Sequence, residues 1–99
     1  MRLPNKRVLI PDVAVFHPDE PSDLPDFPPL IAIEILSRDD RMSEVRAKLD
    51  EYREWGVRHV WLVDPHGHRL YTCEDKLTEV DALRVPELEI ELHPADIFG

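Results

Sequence analysis

Residues 30–64 read LIAIEILSRDDRMSEVRAKLDEYREWGVRHVWLVD, and the order of these segments decides the fold. Leu30 to Leu36 is apolar on both faces except at Glu34, the pattern of a strand buried in the middle of a sheet. Ser37 to Asp40 is a polar connection, with Asp40 or Ser43 available to cap a helix. That helix is expected to run to about Trp55 and stop at Gly56, since glycine accepts the left-handed conformation that ends helices. Arg58 to Asp64 reads as a second apolar strand. Strand, helix and strand in so short a span imply a right-handed crossover, which sets the two strands parallel.

Upstream, Arg7 to Phe16 (RVLIPDVAVF) is rich in Val and reads as a strand, with Pro11 marking an edge, a bulge or a break because it cannot donate to a ladder. His17 to Pro29 carries Pro18, Pro21, Pro25, Pro28 and Pro29 and is expected to be a stiff loop. Downstream, Asp64-Pro65-His66-Gly67 is a turn signal that returns Arg69 to Cys73 as an antiparallel hairpin strand. Leu88, Ile90 and Leu92 alternate with Glu89 and Glu91, as in a strand with one wet face. The expected class is α/β: a mixed sheet with one crossover helix and C-terminal hairpin strands.

A chain of 99 residues suits one domain spanning 1–99, and a core that small favours pairing with a second copy as a homodimer or higher homo-oligomer. The lone Cys73 excludes an intramolecular disulfide and a cysteine-rich zinc site. Met1 to Lys6 lacks the apolar stretch of a signal peptide, and no apolar run approaches the roughly 18 residues of a membrane span. These features lead to the expectation of a cytoplasmic protein away from membranes. The net charge of −9, from 21 acids against 12 bases, opposes general nucleic-acid binding through phosphate neutralisation. It leaves room for a metal-dependent nuclease, whose cations offset the carboxylates that hold them.

Three charged residues sit where charges are costly. Glu34 and Asp12 lie within aliphatic runs, and an ionised carboxylate removed from water without a partner costs several kcal/mol or is forced to neutralise. On the helical wheel Met42, Val45, Leu49 and Tyr52 form an apolar stripe, and Lys48 falls about 60° from Val45 inside that arc. Two carboxylates on neighbouring strands with a lysine above them suit phosphodiester hydrolysis. Asp12 and Glu34 would bind Mg²⁺ (or Mn²⁺) through hard oxygen ligands, and the main-chain carbonyl of Ile35 could add another. Lys48 beside the metal-bound water could orient it, deprotonate it or stabilise the transition state. The plainer alternatives are a surface Lys48–Glu44 pair and structural acids satisfied by backbone donors or by Lys48.

PDVAVF, IEILS, KLDEYREWGVRHVWLVDP and RLYTC, taken in order, resemble the Uma family (DUF820-like) of restriction endonuclease-like proteins. The resemblance covers roughly Val8 to Asp96-Ile97-Phe98 and includes the spacing Lys-xxx-Tyr-xxx-Gly-Val from Lys48 to Val57. It implies a PD-(D/E)XK nuclease core acting on DNA, with Asp12 and Glu34 as metal ligands. The usual lysine two residues after the second acid is replaced by Leu36, and Lys48 on the following helix takes its place in the pattern. The N-terminal helix and hairpin that usually precede the PD strand have no counterpart in the resemblance, which leads to the expectation of a shortened chain or of a partner subunit that supplies the missing surface. A non-catalytic relative that keeps the fold for self-association or protein binding is the competing expectation.

Other candidates are weaker. His66 and His68 flank Gly67 without acid or thiol ligands at metal-binding spacing and read as a hairpin tip. His59 reads as a strand-end residue, and His17 and His93 lie beside prolines in loops. Trp55, Trp61 and Tyr52 read as core more than as base-stacking rings. Arg38 and Arg41 stand near the expected helix N-terminus, where phosphates bind, but next to Asp39 and Asp40. Nothing accompanies Cys73 that would activate it as a nucleophile. With three glycines, the chain has no phosphate-cradling loop.

Overall fold

The structure is a computed structural model in which residues 11–16 and 28–99 are described. Most of the Pro-rich segment, His17 included, and residues 7–10 of the Arg7–Phe16 stretch lie outside those residues. The described part of that stretch forms β1 (Val13–Val15), which pairs antiparallel with β2 (Ile31–Ile35). α1 (Met42–Trp55) then carries the chain to β3 (His59–Asp64), which lies parallel to β2 as the crossover requires. β4 (Arg69–Cys73) and β5 (Leu77–Val80) follow antiparallel, giving the five-stranded order β1-β2-β3-β4-β5.

Both faces of this mixed sheet are covered, which explains why β2 and β3 are almost continuously apolar. Alternate residues serve the two sides. Ala32, Val60 and Leu62 pack with Leu49, Tyr52 and Val57 on the helical side. Ile31, Trp61, Val63 and Leu70 pack on the other side with Leu83 and Val85. The second cover is a two-stranded ribbon of β6 (Leu83–Val85) and β7 (Ile90–Leu92), followed by the short α2 (Pro94–Phe98). Among the described residues no helix is long and apolar enough to cross a membrane.

α1 ends where its sequence ends it. Gly56 has φ 109°, and its N–H bonds the Arg53 carbonyl while the Val57 N–H bonds that of Tyr52. The start differs from expectation. Arg41 occupies the N-cap position without a side-chain cap, while Asp40 accepts a hydrogen bond from the Ser37 N–H at 2.8 Å. Asp40 therefore stabilises the preceding turn instead of the helix, a competition typical of short polar side chains. Of the expected apolar stripe, Leu49 and Tyr52 are buried and Val45 is half-buried, but Met42 lies exposed beyond the reach of the sheet. The β3–β4 turn forms as expected: Asp64 Oδ1 accepts from the N–H groups of His66 and Gly67 at 3.0 and 3.1 Å.

Leu88 to Leu92 is not one strand. Pro86–Leu88 is a 3-10 turn and Glu89 has φ 53°, so β7 begins only at Ile90. Proline at the first helical position starts that turn, and the left-handed residue re-aims the chain into the ribbon. Glu87, within the turn, ties it to the sheet by accepting from Arg58 and meeting His59 Nε2 at 3.0 Å. His93, expected in a loop, is the N-cap residue of α2, and its N–H donates to Asp96 Oδ2.

Candidate metal and nuclease site

The side-chain alternation of β2 decides the site. Ala32 packs under α1, so Glu34, two residues on, projects from the same face of the sheet. There it is 6% exposed, the one charged residue buried among the described residues. Val13 pairs with Ile33, and that register continued by one residue sets Asp12 opposite Glu34 on that face. The helix passes above them with Lys48 and Tyr52 one turn apart, on the side that faces the carboxylates.

Lys48 Nζ lies 2.8 Å from Glu34 Oε1, and the Tyr52 hydroxyl donates a short hydrogen bond to the same oxygen. Lys48 therefore reaches down to Glu34, and its surface pairing with Glu44 is not what the structure contains. Its side chain remains 38% exposed, so the ammonium sits at the boundary between the carboxylate and solvent. Asp12 Oδ2 accepts a hydrogen bond from the Ile35 N–H at 2.8 Å, which draws its carboxylate to the end of β2. Asp12 is not buried, contrary to expectation: it precedes a three-residue strand at the sheet edge, where apolar sequence neighbours do not enclose it.

Burial drives the electrostatics. Desolvation pushes the Glu34 carboxyl above its ordinary range, overcoming the opposing contributions of Lys48 and Tyr52, and the nearby Asp12 carboxyl pushes it the same way. Desolvation and the adjacent Glu34 raise the Tyr52 hydroxyl far above the usual tyrosine value. Tyr52 is thus a proton donor throughout the working pH range. Two acids crowded at one place with only partial compensation form a site that gains by acquiring a cation.

A cavity of about 360 Å³ opens at this point, lined by Asp12, Glu34, Ile35, Arg41, Glu44 and Lys48 among others. Asp12, Glu34 and Lys48, the three residues singled out in the sequence, meet there. Among the described residues no three His, Cys, Asp or Glu side chains form a metal-holding group, so side-chain ligation would rest on two carboxylates. That donor set fits Mg²⁺, which keeps several waters and takes one or two carboxylates plus substrate phosphate. Within a strand a residue's N–H and carbonyl point to the same edge, so the Ile35 carbonyl is available on the side where Asp12 sits.

The sequence reading missed the part played by Tyr52, whose hydroxyl meets Glu34 although its ring is core. Its position four residues after Lys48 was the available signal. Among the described residues no histidine joins the site. His66 accepts from Arg38 Nε at 3.3 Å, and His59 belongs to the Glu87 contact. Arg41 lines the cavity rim. Cys73 is buried, and desolvation raises its thiol, which does not suit a nucleophile.

A family model described as "Uma2: Putative restriction endonuclease" matches residues 1–97. Among solved structures, the chain is similar to "a putative nuclease belonging to DUF820 from Anabaena variabilis", with 24% identity and a TM-score of 0.61. The match covers 71% of this chain and 44% of that one, so the chain spans less than half of that protein's length. At this identity the likeness carries the fold alone. The curated proteins contain no significant match.

Proposed function

Because the chain belongs to the Uma2 family, we propose that it is a Mg²⁺- or Mn²⁺-dependent DNA endonuclease domain that hydrolyses phosphodiester bonds. Asp12, Glu34 and the Ile35 carbonyl hold the ion, and Lys48 acts on the attacking water. One observation carries the reading: an ammonium at 2.8 Å from a buried carboxylate that has a second carboxylate opposite it, all on the wall of one open cavity.

A divalent ion held there supplies an acidified water and stabilises charge developing on the phosphate. Glu34, fixed by the central strand, provides a preorganised ligand. Asp12 is held at the end of β2 by the Ile35 N–H and provides the second. The Lys48 side chain is 38% exposed and reaches Glu34 from the solvent side, where a phosphate or the water would compete with the carboxylate for its ammonium. From there it orients the nucleophile or neutralises the transition state.

The acidic balance of −9 favours a second reading, a non-catalytic relative that keeps the fold for self-association or protein binding. Incubation of supercoiled plasmid with the protein and Mg²⁺ or Mn²⁺ separates the two. Ion-dependent nicking or linearisation that disappears in Lys48→Ala is expected. Intact plasmid under both ions, from protein whose fold is verified by circular dichroism, would leave the non-catalytic reading in place.

A further inference from the structure

Tyr52 is fully buried, yet its hydroxyl is spent on Glu34 Oε1, the oxygen that Lys48 also contacts. The two donors take both acceptor sites of that oxygen. The two also differ in freedom. Lys48 is partly exposed on a flexible stem, whereas the Tyr52 ring is fixed among Leu49, Val57, Val60 and Leu62.

We propose that Tyr52 is a positioning residue: its hydroxyl holds the Glu34 carboxylate in its ion-binding orientation, so that Lys48 can leave Glu34 without the carboxylate turning. This rests on the reading of Glu34 as a metal ligand. With both donors at Oε1, Glu34 is restrained about its last torsion, and its second oxygen has a fixed direction. When Lys48 swings to a phosphate or water, Tyr52 alone keeps that restraint. Its ring cannot follow Lys48 outward because it is packed in the core. Loss of a partner that orients a ligand in this way typically weakens metal affinity by about 10–100-fold.

The test is calorimetric titration of Mn²⁺ into wild type and Tyr52→Phe. Phenylalanine keeps the ring and its packing and removes only the hydroxyl, so a merely structural role predicts an unchanged Kd. The positioning role predicts a Kd weaker by roughly 10-fold or more in Tyr52→Phe, at a temperature where circular dichroism shows both proteins folded. Tyr52→Leu, which loses ring and hydroxyl, should bind no better than Tyr52→Phe. Equal Mn²⁺ affinity in wild type and Tyr52→Phe overturns the proposal while leaving the metal site intact. Absence of Mn²⁺ binding in wild type overturns instead the reading on which it rests.

Discussion

Replacing Glu34 by glutamine should make the ion-free protein more stable, an unusual outcome for a change at a buried, multiply bonded side chain. The reason lies in the balance at this carboxylate. Burial raises its proton affinity more than Lys48 and Tyr52 lower it, so the ionised form is a net cost to the fold. Glutamine keeps the size and an oxygen acceptor for Tyr52, and the partly exposed Lys48 can turn to water without leaving a buried unpaired charge. The raised folded-state value sets the sign of the change, and each unit by which it exceeds the unfolded value is worth about 1.4 kcal/mol against the ionised form. For a domain of this length each kcal/mol recovered raises Tm by about 4–8 °C.

The pH dependence has a definite sign. With the folded-state value raised, the folded protein retains a proton that the unfolded chain has already lost. Stability therefore falls as pH rises from the ordinary glutamate range through the raised value, and the cost is complete above it. Glu34→Gln should lack this slope. Divalent ions should reverse the ranking: at 100 times Kd a bound ion stabilises by about 2.7 kcal/mol, and only wild type collects it. Differential scanning calorimetry at several pH values, with and without Mg²⁺, measures all three effects. A Glu34→Gln protein that melts below wild type in the absence of ions would refute the claim that desolvation dominates.

Two further predictions concern the frame that carries the site. Its own backbone N–H and then His59 hold the Glu87 carboxyl down at about 2. Its contribution to stability is therefore present above the ordinary glutamate value and lost as pH falls towards 2, and acid titrations followed by circular dichroism should show a shallower loss in Glu87→Gln. Gly56 closes α1 at φ 109°, with space beside it but a backbone conformation unsuited to side chains; Gly56→Ala should cost about 1–2 kcal/mol in urea unfolding, and an unchanged midpoint would contradict the capping assignment.

The central part of the fold was legible because its signals are local and redundant. The apolar runs of β2 and β3, the glycine stop after Trp55 and the Asp64 turn each state their structure within a few residues. Glu34 stood out because it interrupts such a run and Lys48 because it falls inside the apolar arc of the helix, and they do meet. The ribbon of β6 and β7 was only half visible. Alternation over Leu88–Leu92 marked β7, but β6 is only three residues long, and Leu83 and Val85 become core only because they close over Trp61 and Val63. Asp12 was misjudged for a related reason: burial depends on what flanks a strand, and β1 is an edge. Tyr52 was read by its ring, while its function depends on where one hydroxyl ends up relative to a strand distant in sequence.

Isothermal titration with Mn²⁺ tests the central claim most directly. Wild type should bind a single ion per chain, Asp12→Asn and Glu34→Gln should each lose that binding, and Lys48→Ala should keep it while losing cleavage. Retention of the ion by both carboxylate variants, or no uptake by the folded wild type, would contradict the assignment of this cavity as a metal site.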